Sequence, residues 1–113
     1  MSTIFTKIIN KEIPADILYE NDSVIAFRDV NPQAPVHFLV IPKKEIPTLN
    51  DIEEHDKDII GELFLVAKKL AKKEGLGEKG YRTIFNCNED GGQTVFHIHL
   101  HVMGGRQMEW PPG

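Results

Sequence analysis

The chain has 113 residues, 41% hydrophobic and 27% charged, enough for one packed domain (1–113) and too few for two independent cores. A formal charge of −4 and a pI near 5.7 exclude the broad basic footprint of a sequence-independent nucleic-acid binder, so any phosphate must be held by a local device. The single cysteine, Cys87, excludes an intrachain disulfide and reads as a small strand residue in a reducing compartment. The N-terminal MSTIFTKIINKEIPA lacks an apolar leader and no run is long enough to span a bilayer; a cytoplasmic protein is expected, with the nucleus left open.

Ser2 or Thr3 can cap a short helix whose apolar stripe is Ile4, Phe5, Ile8 and Ile9, with Pro14 beyond its end. In ILYENDSVIAFRDV two apolar runs flank Asn21-Asp22, which predicts a β-hairpin of about 18–20 and 23–28. NPQAP (31–35) breaks the chain, and VHFLVIPK predicts a buried strand from Val36 to Pro42. After Pro47 the period changes: Ile59, Leu63, Val66 or Ala67, and Leu70 recur at helical spacing. Asp51, Glu53, Glu54, Asp56 and Asp58 stand at the front of that segment and Lys68, Lys69, Lys72 and Lys73 at its back, each sign suited to the helix dipole, and Gly75 and Gly77 stop it. YRTIFNCN (81–88) predicts a strand, EDGGQT (89–94) a turn, and Val95–Met103 a second strand antiparallel to the first. The expected class is α+β: about five strands in a mostly antiparallel sheet, with one short and one long helix covering one face.

The segment FHIHLHVMGG (96–105) carries His97, His99 and His101 at every second position. In a strand such residues share a face at about 6.5–7 Å spacing, so Phe96, Ile98, Leu100 and Val102 are expected to face the helices. His37 is a fourth candidate, sharing its face with Leu39 and Ile41. A chance array on a solvent face is one reading. A metal site is another: zinc takes three or four ligands at about 2.0–2.3 Å, with Glu89 or Asp90 as extra donors. The outer pair, His97 and His101, stand roughly 13 Å apart along a strand, too far to converge easily on one ion. The third reading is covalent catalysis. A neutral imidazole attacks phosphorus if one ring nitrogen is held as the N–H donor and the other presents its lone pair. The middle ring, His99, is best placed for that, with its neighbours supplying protons and positive charge. Gly91 and Gly92, followed by Gln93 and Thr94, either close a hairpin or bring backbone N–H groups to an anion.

HIHLHVM resembles the signature of the histidine triad (HIT) superfamily, three histidines alternating with apolar residues. NPQAPVHFLVIPK, NEDGGQTVFHIHLHVMGG and GGRQMEWPPG resemble its nucleotide-binding (Hint) branch, and the likeness runs from TIFTKIINKEIPA to Gly113. The resemblance implies a purine nucleoside phosphoramidase. Such an enzyme cleaves adenosine or guanosine 5′-phosphoramidates at the P–N bond, and related aminoacyl-adenylates, through a nucleotidyl-histidine. It implies His99 as nucleophile, His97 and His101 at the phosphate as proton carriers, and His37 in the same relay. Asn86, Gly92, Gln93 and Thr94 match positions that hold the phosphate or leaving group. Asp29 matches the carboxylate on the ribose hydroxyls; the residue pattern by itself fits a turn before NP equally well. Ile4, Phe5, Ile8, Phe27, Val30 and Leu39 would line the purine pocket, with Arg28 beside them.

Thr94 departs from the Ser of many Hint relatives; its extra methyl bears on which amines fit. Threonine is also seen there in the diadenosine polyphosphate hydrolase branch, whereas the uridylyltransferase branch replaces the third histidine by Gln. The expected partners are purine nucleoside monophosphates and phosphoramidates and a second copy of the chain, with one sheet continued across a homodimer and the Trp110 tail near the partner's site. No nucleic acid or membrane partner is expected. No cofactor is expected to be required; zinc can bind but is not expected to be catalytic. A purine-nucleotide-binding scaffold without catalysis and a dinucleoside polyphosphate hydrolase are the alternatives.

Overall fold

The computed structural model describes residues 3–113. Helix α1 (Ile4–Ile9) starts at Thr3, whose hydroxyl accepts from the N–H groups of Phe5 (3.2 Å) and Thr6 (3.3 Å). The other expected cap, Ser2, lies outside the described residues. Strands β1 (Ile17–Glu20) and β2 (Val24–Arg28) form the predicted hairpin. The Asn21 side-chain oxygen closes it by accepting from the N–H groups of Ser23 and Val24, both at 2.8 Å. Strand β3 (Val36–Pro42) has the predicted bounds.

Helix α2 runs over Lys57–Lys73. Asp51, Glu53 and Glu54 lie ahead of it, in or beside two 3-10 turns at Leu49–Asp51 and Glu54–Asp56, so only part of the acidic front belongs to the helix. The chain leaves α2 through Gly75, whose φ of +81° a side chain would disfavour.

The last two strands, β4 (Tyr81–Ile84) and β5 (Leu100–Gly104), are shorter than the expected 81–88 and 95–103. After Ile84 the chain leaves the ladder, passes Asn88 at φ +59°, and turns back through 89–94. On its return it bonds elsewhere: the Ile98 N–H donates to the Ile46 carbonyl at 2.8 Å. Phe96, expected among the core residues, is 46% exposed for the same reason.

The sheet order is β1-β2-β3-β5-β4, with each neighbouring pair antiparallel. The two helices lie on opposite faces, a correction to the one-sided packing expected. Val24, Ala26, Phe38, Val40, Leu100 and Val102 pack with Leu63, Val66, Ala67 and Leu70 of α2. Ile25, Phe27, Leu39 and Ile41 pack with Phe5 and Ile8 of α1. The β3–β5 register sets Leu39 opposite His101 and His37 opposite Met103. His37, Leu39 and His101 are thereby brought to the α1 face.

Candidate active site

Phe5 of α1 stands edge-on to the His99 ring at 4.9 Å between centroids, and His99 stands 4.9 Å from His101. Beside them lies a cavity of about 270 Å³. Its apolar wall includes Ile4, Phe5, Ile8, Phe27, Leu39 and Val95; Asp29, Thr94, His99 and His101 supply the polar part. One side for a flat apolar ring and one end with imidazoles, a hydroxyl and a carboxylate is the form of a small-ligand site.

The hydrogen bonds fix the tautomer of each ring. A carbonyl only accepts, so His99 Nδ1 carries the proton it gives to the His97 carbonyl at 2.8 Å, which leaves the lone pair on Nε2. His97 likewise donates from Nε2 to the Pro42 carbonyl at 2.7 Å, and its buried Nδ1 has no hydrogen-bond partner among the described residues. His37 is held the opposite way. The backbone N–H of Gln33 donates to His37 Nδ1 at 3.0 Å, so a neutral His37 carries its proton on Nε2. That nitrogen faces His101 Nδ1 at 2.9 Å and Asp29 Oδ2 at 3.3 Å. Two N–H groups cannot face each other at such a distance, so His101 accepts at Nδ1 and bears its own proton on Nε2. The site thus pairs one unprotonated nitrogen, on His99, with one N–H donor, on His101.

Burial keeps these rings neutral. It is the largest influence lowering the pKa of His37, His97, His99 and His101. His101 is pushed down to about 4, first by burial and then by His99 and His37, with Asp29 opposing. Between that value and about 6.5, where an unfolded histidine titrates, the folded chain binds fewer protons than the unfolded one. Stability should therefore be full above about pH 6.5 and fall as the pH drops toward 4, by on the order of 3 kcal/mol from His101 alone. Urea midpoints that stay level between about pH 7.5 and 4.5 would contradict this.

Asp29, His37 and His101 also bring three ligand-type atoms within 4.8 Å of one another. Metal binding at His37 would need the lone pair on Nε2, and the Gln33 N–H donor puts the proton there instead. The donor set fits a hydrogen-bonded relay better than a metal cradle.

The HIT domain model matches residues 10–108. The chain belongs to the HIT family. It is 53% identical over 106 residues to the purine nucleoside phosphoramidase of Escherichia coli strain K12, covering 94% of this chain and 89% of that one. It is 56% identical over 111 residues to an uncharacterized HIT-like protein of Synechococcus elongatus, covering 98% and 96%. Among solved structures, the HIT family hydrolase from Legionella pneumophila Philadelphia 1 matches with a TM-score of 0.97 and 54% identity, over 99% of this chain and all of that one. The histidine triad nucleotide-binding protein from Candida albicans matches with a TM-score of 0.84 and 34% identity, over 97% and 83%.

The three signature histidines of this HIT domain are placed differently. His99 and His101 line the cavity, while His97, expected at the phosphate, is fully buried, bonded to the Pro42 carbonyl and outside the lining. Its own carbonyl holds the His99 ring. His37 is buried and outside the lining, next to the cavity residues His101 and Asp29.

Asp29 Oδ1 accepts from the Asn31 N–H at 2.8 Å, holding a turn, and the residue also lines the cavity. Val30, 97% exposed, is at the rim. Arg28 borders the cavity, yet its guanidinium bonds Glu74 Oε1 (2.9 Å) and Oε2 (3.1 Å) and is committed there.

Of the glycine-turn residues only Thr94 lines the cavity. The Gly92 N–H donates to the Glu89 carbonyl at 2.9 Å and the Gln93 N–H to the Asn88 carbonyl at 3.0 Å, so neither amide is free for an anion. The Gln93 side chain is buried, donating to the Pro47 and Val95 carbonyls and accepting from the Asn88 N–H. Asn86 is half-buried and outside the lining. Gly91 explains the glycine pair, because a Cβ there would sit 2.5 Å from the Cys87 carbonyl oxygen. Ile13, Pro14, Ala15 and Val95 also line the cavity, and sequence reasoning missed them. Their one signal was position, just past α1 and just before the first histidine.

Proposed function

We propose that the protein is a purine nucleoside phosphoramidase, cleaving the P–N bond of adenosine or guanosine 5′-phosphoramidates and releasing the nucleoside monophosphate. One observation carries the reading: the His97 carbonyl holds the His99 proton on Nδ1, leaving the nucleophilic lone pair on Nε2 of a ring that lines the cavity. Identity to the E. coli phosphoramidase supports the choice of reaction.

In the first step the His99 Nε2–phosphorus bond forms as the P–N bond breaks, and the leaving nitrogen takes up one proton from solvent, so the amine departs neutral. The ring becomes a cation in that step, and its Nδ1–H stays on the His97 carbonyl, whose oxygen stabilises the new charge. His101 Nε2–H and the Thr94 hydroxyl are the donors for the phosphate oxygen and the departing amine. In the second step the oxygen–phosphorus bond from water forms as the P–Nε2 bond breaks; His99 leaves as the neutral ring, and the water's proton passes to solvent, returning the one taken up in the first step. Asp29 is suited to the ribose hydroxyls, and the wall of Ile4, Phe5, Ile8, Phe27 and Leu39 to the purine. A monoanionic phosphoramidate leaves little charge to neutralise, so the reaction needs no metal.

The test is turnover of adenosine 5′-phosphoramidate with and without EDTA. AMP should appear at the same rate in both. Tight binding with no AMP released would make the protein a nucleotide-binding scaffold, and cleavage confined to dinucleoside polyphosphates would place it in that hydrolase class. Loss of turnover in EDTA, restored by zinc, would remove the metal-free mechanism.

The same reading includes a homodimer. β4 pairs only with β5, and its outer edge is unpaired among the described residues. Phe64, Leu65, Phe96 and Trp110 are exposed, Trp110 at 83% on a C-terminal segment whose Pro111 and Pro112 cannot continue a helix or a central strand. Sedimentation at micromolar concentration should give twice the chain mass of 12.8 kDa; a monomer mass would contradict the dimer.

A further inference from the structure

We infer that Arg106 is a positioning residue for His101, fixing through the Gln33 peptide and His37 which nitrogen of that ring carries the proton. The inference rests on the reading that the His99–His101 cavity is the reaction site. Of the four rings in the cluster, His97 and His99 are anchored by carbonyls of the sheet or its approach, Pro42 and His97. His37 is anchored by an amide N–H from NPQAP, a loop that has no ladder of its own. Something must hold that loop, and Arg106 does so. Its Nε and Nη2 donate to the Gln33 carbonyl at 3.3 and 3.0 Å, and its Nη1 donates to the Gln107 carbonyl at 3.2 Å.

A guanidinium turned on backbone carbonyls, with no carboxylate partner among the described residues, is acting as a geometric clamp. Gly105 permits the approach. It sits at φ +94°, and a Cβ there would come 2.9 Å from Pro35 Cβ. The chain of contacts is then continuous: Arg106 to the Gln33 carbonyl, the Gln33 N–H to His37 Nδ1, His37 Nε2–H to His101 Nδ1, and His101 Nε2–H to the cavity. If the loop drifts, only Asp29 Oδ2, 3.3 Å from Nε2, still favours the proton there, and His37 can take it on Nδ1. His37 Nε2 then becomes an acceptor, His101 turns its proton inward, and the cavity loses its donor. A wrong histidine tautomer is a costly fault in a catalytic site.

The experiment is ring-nitrogen NMR on the free full-length chain, paired with steady-state kinetics, for Arg106→Ala, Arg106→Lys and Gln33→Pro. The wild type should show His37 and His101 protonated at Nε2. Arg106→Ala should show a mixture with Nδ1–H on both rings and a kcat lower by about tenfold with KM little changed. Arg106→Lys, which keeps the charge without the fork, should fall between. Gln33→Pro, which deletes the N–H itself, should show the largest Nδ1–H fraction. Unchanged ring-nitrogen patterns in the variants would overturn the assignment, whatever their activity. If Arg106→Ala does not fold, Arg106→Lys is read by the same criterion. The NMR pattern needs no substrate, so its failure leaves the phosphoramidase reading standing, whereas an inactive wild type strikes that reading alone.

Discussion

Replacing His99 with asparagine is expected to lower kcat for adenosine 5′-phosphoramidate by at least about 10⁴-fold while leaving AMP affinity within about threefold. The loss is large because no other ring can substitute. His97 is sealed behind the site with its Nε2 proton on Pro42. His101 presents an N–H, not a lone pair, to the cavity, and His37 has one nitrogen on the Gln33 amide and the other on His101. Affinity should survive because the apolar wall and Asp29 do not depend on the His99 lone pair. Asparagine keeps a polar group among Phe5, His97 and His101, so folding is less disturbed than by glycine. Equilibrium titration with AMP beside single-turnover kinetics checks both halves. Residual turnover above about one per cent of wild type would remove His99 as the nucleophile.

The largest loss of stability is expected from Phe38→Ala, about 3–5 kcal/mol, a substantial part of the 5–15 kcal/mol that holds a typical domain. Phe38 is fully buried between β2 and β5, opposite Arg28 and Val102, and packs against the α2 side chains. It is also the residue between His37 and Leu39, so its packing holds the strand that delivers both to the other face. The melting temperature should drop by more than about 10 °C. Phe38→Leu, which restores most of the volume, should recover more than half of that. A small change in Phe38→Ala would mean the core collapses around the gap, and the rigid β3–β5 register would lose its support.

Much of this architecture is legible in the sequence, for identifiable reasons. The strand Val36–Pro42 carries the unbroken apolar run Phe38–Pro42 between a proline-rich break and two lysines, and α2 combines a 3.6-residue stripe with charges that suit its dipole. The sidedness of the helices is not legible. VIAF and FLVI are buried on both faces, so neither strand alternates, and nothing in them says which residues meet α1 and which meet α2.

The histidine alternation pointed to the site and overstated the strand. HIHLH runs past the end of the ladder: Ile98 donates to the Ile46 carbonyl, and the Gln93 amide, itself on the Pro47 carbonyl, donates to the Val95 carbonyl, so β4 is not their partner. That change of partner is why Phe96 faces out. It also separates His97, buried outside the cavity lining, from His99 and His101, which line it. The tautomers were beyond the reach of side-chain pattern altogether, since three of the four anchoring groups are backbone atoms of Pro42, His97 and Gln33.

The central claim is that phosphorus is transferred to a ring nitrogen and then to water. The stereochemical course at an α-phosphorus made chiral with oxygen isotopes tests it most directly. Two successive in-line displacements, onto His99 and then onto water, predict nucleoside monophosphate with retained configuration at phosphorus. Inversion would mean that water attacks the substrate itself, and His99 would not be a nucleophile.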